Sequence, residues 1–241
     1  MRVLSLAAAA VIALSTIARS DTTTLTLATG DYVPFTGENL PDGGVVNGIV
    51  QEVAARSGID VEFEYMPWKR ALEATRQGAY DGTSYWYYSE EREADFIHVG
   101  PLVEERQVFF AIAGPEVPTW SELEDLSGLR IGVVPGFTYT PELWELGESG
   151  VLTLSEATSN EANMRKLLAG RIDVFPHSEM AGWHLIRETF TEEEQARFVV
   201  LDNTLSSSDG YLLISRNMPN GEEVAKALQA AVDSLMAANA N

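Results

Sequence analysis

One pattern occurs twice in this chain and restricts its fold more than any other. An amphipathic helical stretch ends on glycine, two residues pass, an aspartate follows, and an apolar strand begins. The first copy is ALEATRQGAYDGTSYWYY, with Gly78 and Asp81, and the second is NMRKLLAGRIDVF, with Gly170 and Asp173. Glycine closes a helix because it enters the left-handed region without penalty, and helices alternating with strands are the grammar of parallel α/β units. Before the first copy, residues 25–28 alternate as a strand, and GDYVPFTGENLPDGG is turn-rich with no helical period. Ile49, Val50, Val53 and Ala54 then share one helical face up to Gly58, and VEFEY alternates again. Pro67 opens the next helix, whose inward face is Ala71, Leu72 and Thr75. Before the second copy, Thr119 and Ser121 each have a glutamate three residues on, Glu122 and Glu124, which reads as a capping box opening a short helix that stops at Gly128 before RIGVV. The chain closes with a strand at GYLLISRN and a helix striped by Val224, Leu228, Val232 and Leu235. These last elements have no unit of their own, so they are expected to pack back on the first.

The fold class expected is therefore α/β in two lobes, with crossings near Arg106 and near Ser208. Residues 21–106 and 209–241 form lobe 1, and 107–208 form lobe 2. Two crossings and a cleft between lobes suit hinge closure around a small ligand.

Residues 1–20, MRVLSLAAAAVIALSTIARS, carry an early arginine, an apolar run over 3–17 and the small residues Ala18 and Ser20 ahead of Asp21. This is the layout of a cleaved signal peptide, and the run is shorter than the roughly 18 to 20 residues of a membrane-spanning anchor. The chain has no cysteine, which excludes both a disulfide framework and a lipid-modified N-terminal cysteine. A Gram-negative periplasm is the expected location. With 36 acidic against 16 basic side chains the net charge is -20, so nucleic acid is excluded as a partner because phosphate neutralisation needs Lys and Arg.

No nucleophile elbow, zinc-protease helix, phosphate loop or dinucleotide fingerprint is present, so no catalytic residue, metal or cofactor is expected. His98, His177 and His184 are scattered, and His177 near Glu179 is the one pair with chemical interest. Arg92 stands just past the aromatic strand that begins after Asp81, where open sheets bind ligands beyond their strand ends. It is the first candidate for a carboxylate clamp. Its neighbours Glu90, Glu91, Glu93 and Asp95 offer the competing reading of a surface ion pair worth about 0–1 kcal/mol. Asp81 and Asp173 read as structural strand-entry residues.

The segments LTLATGDYVPFT, GIVQEVAARSG, PWKRALEATRQGAYDG, SEEREADF, LEDLSGLRIGVVPG and NMRKLLAGRIDVF, in this order and spacing, resemble the bacterial extracellular solute-binding proteins of family 3, periplasmic receptors of amino-acid uptake systems. The resemblance spans nearly all of residues 24–236 and implies the two-lobed periplasmic-binding-protein fold, type II. It implies that Arg92 grips a ligand carboxylate, that Thr138 in Gly136-Phe137-Thr138 adds a hydroxyl to it, that Trp68 touches the ligand side chain and that Tyr32 covers the ligand. Two departures of the sequence from the family fall on expected site positions. The small serine pair of the first-lobe strand is replaced by Tyr85, Trp86, Tyr87 and Tyr88: counting back from Arg92 puts Tyr85 and Tyr87 in the site, and counting forward from Asp81 puts Trp86 and Tyr88 there. The aspartate that receives a ligand ammonium falls on Ser178, with Glu179 beside it.

The resemblance implies a monomeric receptor that takes a small carboxylate-bearing polar solute to an inner-membrane ABC permease, with no bond made or broken. Two alternatives stay open: a periplasmic enzyme on the same scaffold, similar to the cyclohexadienyl dehydratases with Glu179 as acid or base, and a ligand-sensing partner of a signalling receptor. Export is tested directly. Intact-mass measurement of protein recovered from the periplasm is expected to give an N-terminus at Asp21, and retention of Met1 would end the argument for a cleaved signal.

Overall fold

A computed structural model describes residues 23–115, 117–137 and 139–239; the expected signal peptide and Thr138 lie outside them. Strand β1 (Thr23–Thr29) leads through a 3-10 turn at Pro41–Gly43 to helix α1 (Val45–Arg56), β2 (Ile59–Tyr65), α2 (Trp68–Arg76) and β3 (Gly82–Tyr87). A second 3-10 turn at Glu90–Ala94 precedes the 17-residue β4 (Phe96–Ile112). Then come a 3-10 turn at Leu123–Leu126, β5 (Arg130–Val133), α3 (Pro141–Glu148), β6 (Thr153–Glu156), α4 (Asn160–Leu168), β7 (Phe175–Ser178), α5 (Glu179–Thr189) and α6 (Glu192–Gln195). The 18-residue β8 (Phe198–Ser215) and α7 (Gly221–Asn239) complete the chain.

The two long strands organise the rest. β4 and β8 pair antiparallel from Phe96 opposite Ser215 to Ile112 opposite Phe198, with Glu105 facing Ser208 and Arg106 facing Ser207 near the middle. The positions where the sequence suggested the chain crosses thus lie opposite one another. At one end of this ladder β3 joins β8, and β1 and β2 extend the sheet in the order β2-β1-β3-β8-β4-β7. At the other end β7 joins β4 over residues 107–110. Parallel β5 and β6 then attach to it through the bridge between Ile131 and Val174.

Apolar side chains gather separately at the two ends. Leu25, Leu27, Val50 and Val53 pack with Leu212, Ile214, Leu228 and Val232, so the final helix does return to the first α/β unit. The other end holds one cluster around Phe109, Leu126, Ile131 and Leu143 and another around Phe110, Met164, Leu167 and Phe175. Fully burying each such side chain is worth about 1.5–3 kcal/mol. Trp120 meets Phe109 edge-on at 5.1 Å, Trp183 meets Phe110 at 5.5 Å and Trp144 lies 5.6 Å from Tyr139, all packing roles.

The duplicated motif has one physical meaning in both places. Gly78 (φ 79) and Gly170 (φ 62) take the left-handed conformation that ends a helix and turns the chain toward the sheet. Asp81 then accepts the Thr26 amide of β1 at 2.8 Å, and Asp173 accepts the Arg130 amide of β5 at 2.7 Å. Each carboxylate satisfies a backbone donor on the neighbouring strand that would otherwise lack a partner. Asp173 also receives the Arg130 guanidinium at 2.9 and 2.7 Å.

Two expectations need correction. The capping box near residue 120 is formed by Glu122 and Asp125, not by Thr119 or Ser121, because helical geometry starts only at Leu123. Trp120, just before that turn, is buried edge-on against Phe109. The strand at GYLLISRN is the end of β8, which begins at Phe198.

Hydrogen bonds from Arg130 hold the Asp173 carboxyl below its ordinary value of 3.8. Because its folded value is depressed, its contribution to stability is fully present above the ordinary value and is lost as pH falls through the folded one. Both side chains are partly in water, at 30% and 46% exposure, so Asp173→Asn is expected to remove only about 1 kcal/mol. In urea unfolding curves at a series of pH values, that difference should be constant near neutrality and shrink below pH 3.8; a difference independent of pH would refute the assignment.

Candidate ligand cleft

Along β4 the side chains alternate, and the buried member of the run Glu104-Glu105-Arg106 is a glutamate: Glu105 is 6% exposed. A charge taken out of water needs compensation. Three phenols supply it. Tyr32 donates to Oε1 at 2.6 Å, Tyr87 to Oε2 at 2.6 Å and Tyr85 to Oε2 at 3.4 Å. Tyr32 arrives on a tight turn closed by its amide and carbonyl to Thr36 and Phe35, and its ring stacks on Phe35 at 5.0 Å. Tyr85 and Tyr87 come from β3, whose register against β8 slips between Ser84 and Trp86. Tyr85 lies so close to β8 that a Cβ on Gly210 would stand 1.6 Å from its ring, which makes glycine obligatory there. Burial first, and then Glu105, push all three phenols above the ordinary tyrosine value, so they stay protonated and serve as donors at physiological pH.

This cluster opens onto two adjoining cavities of about 590 and 550 Å³, which share Tyr32, Glu105, Gln107, Phe137 and Tyr139. The larger is completed from the second half of the chain by residues including Asn160, His177, Ser178 and Leu185. Three glutamates line it, Glu105, Glu161 and Glu188, and among the described residues no lysine or arginine lines either cavity. Burial pulls the His177 imidazole down to about 4, so it is neutral at physiological pH and adds no positive charge. Asn160 Oδ1 is buried with no hydrogen-bond partner among the described residues. No group of three or more side chains able to hold a metal ion occurs among them.

The sequence profile of the bacterial extracellular solute-binding proteins, family 3, matches residues 25–240. The chain belongs to that family. No curated protein matches it in sequence, but solved structures of similar fold do. Substrate-binding domain 2 of Lactococcus lactis GlnP, in an open conformation, superimposes with a TM-score of 0.74 at 15% identity, covering 91% of this chain and 92% of that one. The L-cystine solute receptor of Neisseria gonorrhoeae, unliganded and open, gives 0.72 at 18% identity, covering 90% and 88%. The probable amino-acid ABC transporter extracellular-binding protein ytmK of Bacillus subtilis gives 0.67 at 20% identity, covering 88% and 93%. The two-lobed periplasmic-binding-protein fold is thereby established.

Against this family frame the residues singled out by sequence fall in different places. Tyr32, Tyr85 and Tyr87 converge on Glu105, and Ser178 lines the larger cavity while its hydroxyl caps α5 by accepting the Ala181 amide. Trp68, Trp86 and Arg92 form a second cluster, with Trp68 edge-on to Trp86 at 5.3 Å and the Arg92 guanidinium 4.9 Å from the Trp86 ring centre. None of these three lines the two cavities. Tyr88 is exposed, donates to Glu93 and packs near His98 and Tyr211. Glu179 faces a smaller adjoining cavity of about 300 Å³ and pairs with Arg106 at 3.2 Å. Thr138 is outside the described residues.

Arg92 is not held by its acidic neighbours. Asp95 pairs with Arg76 at 2.7 Å, Glu93 accepts Tyr88 at 2.8 Å, and among the described residues Arg92 itself donates to the Tyr87 carbonyl, at 2.9 Å. Among the described residues it makes no salt bridge, and burial lowers its pKa. Sequence reading passed over Glu105, Phe137, Tyr139 and Gln107. The signal available for Glu105 was a charged pair, Glu104-Glu105, inside a strand that is otherwise largely apolar.

The distances rank the phenols. Tyr87→Phe, which removes a short bond to a carboxylate, is expected to lower stability by about 1.5–3 kcal/mol, and Tyr85→Phe, at the limit of hydrogen-bond reach, by less. Urea midpoints for the two variants check this order, and a larger loss for Tyr85→Phe would refute it.

Proposed function

We propose that this family 3 protein is a periplasmic receptor that captures a small amino-acid-like solute between its lobes and delivers it to an ABC permease in the inner membrane. Lobe 1 is residues 21–106 and 209–241, lobe 2 is 107–208, and the β4–β8 ladder is the hinge. The observation that carries this reading is the larger cavity, lined at once by Tyr32 from the first half, Ser178 and Leu185 from the second, and Glu105 on the crossing strand. A ligand seated there contacts both lobes only when they are close, and that difference in contact between states is what shifts the equilibrium to the closed form.

In this reading the ligand reaches beyond the cavity lining, past Tyr87, and Arg92, which stands beside the cavities rather than in their walls, takes its carboxylate. Its guanidinium is already positioned by stacking on Trp86 and by one bond to the Tyr87 carbonyl, and its remaining donors can meet both carboxylate oxygens in a parallel pair, which lysine cannot reproduce. Trp68, braced against Gly30 and Trp86, offers its ring to the solute's side chain.

A thermal-shift screen of amino acids, polyamines, opines and small aromatic acids finds the ligand, because a molecule that binds only the folded state raises stability. Small-angle scattering with a saturating hit is expected to show a more compact particle, and Arg92→Lys is expected to bind it about ten- to a hundredfold more weakly. Unchanged dimensions on binding would refute closure. A hit recovered as a chemically altered product would make the protein an enzyme on this scaffold.

A further inference from the structure

Glu105 is a buried carboxylate without a countercharge. It takes part in no salt bridge among the described residues, and its three partners are neutral hydroxyls. Phenol donors lessen the penalty of burying a negative charge but do not neutralise it. A carboxylate offers about four acceptor positions, and the tyrosines occupy three, so one remains, along with the full charge. The remaining position faces space rather than protein, since Glu105 lines both large cavities as well as the smaller one beside Glu179. Among the described residues no lysine or arginine lines the two larger cavities; Arg106 and Arg187 line only the smaller one, where Arg106 turns to Glu179 and Thr204.

The surroundings suit a cation further. Each phenol oxygen that donates to Glu105 keeps lone pairs able to accept from an ammonium, and the tyrosine rings present faces that attract positive charge. Glu161 and Glu188, which line the same larger cavity, add negative potential to it. Ser178, which also lines it, is neutral and engaged in capping α5. We infer that Glu105, with Tyr32 and Tyr87, receives a protonated amine of the ligand, so that the cleft selects solutes bearing a cationic nitrogen with N–H donors. Tyr87 ties this site to the proposed carboxylate clamp, since its hydroxyl holds Glu105 while its carbonyl holds Arg92. One residue, through its hydroxyl and its backbone carbonyl, thus spaces an ammonium position from a carboxylate position.

The inference rests on the receptor reading, and the experiment separates the two. Isothermal titration calorimetry on the mature protein would use three matched sets: L-phenylalanine, 2-phenylethylamine and 3-phenylpropionate; L-leucine, isopentylamine and 4-methylpentanoate; L-glutamine, 4-aminobutanamide and glutaramate. In at least one set the amino acid is expected to bind, with the deaminated acid weaker by about ten- to a hundredfold, the worth of one charge-assisted hydrogen bond. Glu105→Gln, which keeps the shape and one acceptor, is expected to abolish that discrimination. Should the variant fail to fold, the discrimination shown by the unaltered protein still decides the matter. Deaminated acids that bind as tightly as their amino acids, or a folded Glu105→Gln protein that still discriminates, would overturn the ammonium site and leave the receptor reading standing. Absence of binding in every set would overturn both.

Discussion

Everything in this molecule hangs on one antiparallel ladder. β4 and β8 run side by side for their whole length, and each end of the pair receives its own set of strands and its own apolar clusters. Between the clusters the ladder is narrow, and that is where Glu105, Arg106, Ser207 and Ser208 face one another. Polar residues can occupy these positions because they find partners: Glu105 the phenols, Arg106 Glu179 and Thr204, and Ser207 Glu104. The place where two lobes can bend is therefore also where charge can be presented to a ligand, and a single strand supplies both.

The fold was legible in the sequence because its determinants are local. Glycines closing helices, aspartates entering strands and a helical period at Val50, Val53 and Ala54 each report on a few neighbouring residues. The repeated Gly-x-x-Asp motif was informative for a stronger reason than pattern alone: both aspartates bind a strand amide in the same way. The 3-10 turn at Leu123–Leu126 is capped by Glu122 and Asp125 rather than by the Thr119 or Ser121 that the spacing suggested, since a glutamate three residues after a hydroxyl occurs there twice and neither copy coincides with the turn's start.

The site was legible only in part. The aromatic run after Asp81 marked the right strand, yet neither count along it could say which rings meet, since a register slip between Ser84 and Trp86 intervenes. What brings Tyr32, Tyr85 and Tyr87 to one point is a glutamate more than seventy residues from the first of them, and no spacing rule connects these. Arg92 drew notice by its position, whereas the pairing of the acids around it followed from where Arg76 and Tyr88 direct their own hydrogen bonds.

The path of the chain has a consequence for how the protein is made. The second lobe is assembled around one continuous stretch between the two long strands. The first lobe is interrupted: β3 finds its antiparallel neighbour only in β8, and the cluster around Val50 and Val53 is closed by Leu228, Val232 and Leu235 of the final helix. Contacts of such long separation form late, because the intervening chain must first be gathered in. As the polypeptide is made from its N-terminus, the lobe that appears first is the one that must wait, holding β1, β2 and α1 unfinished until the last turns of α7 arrive.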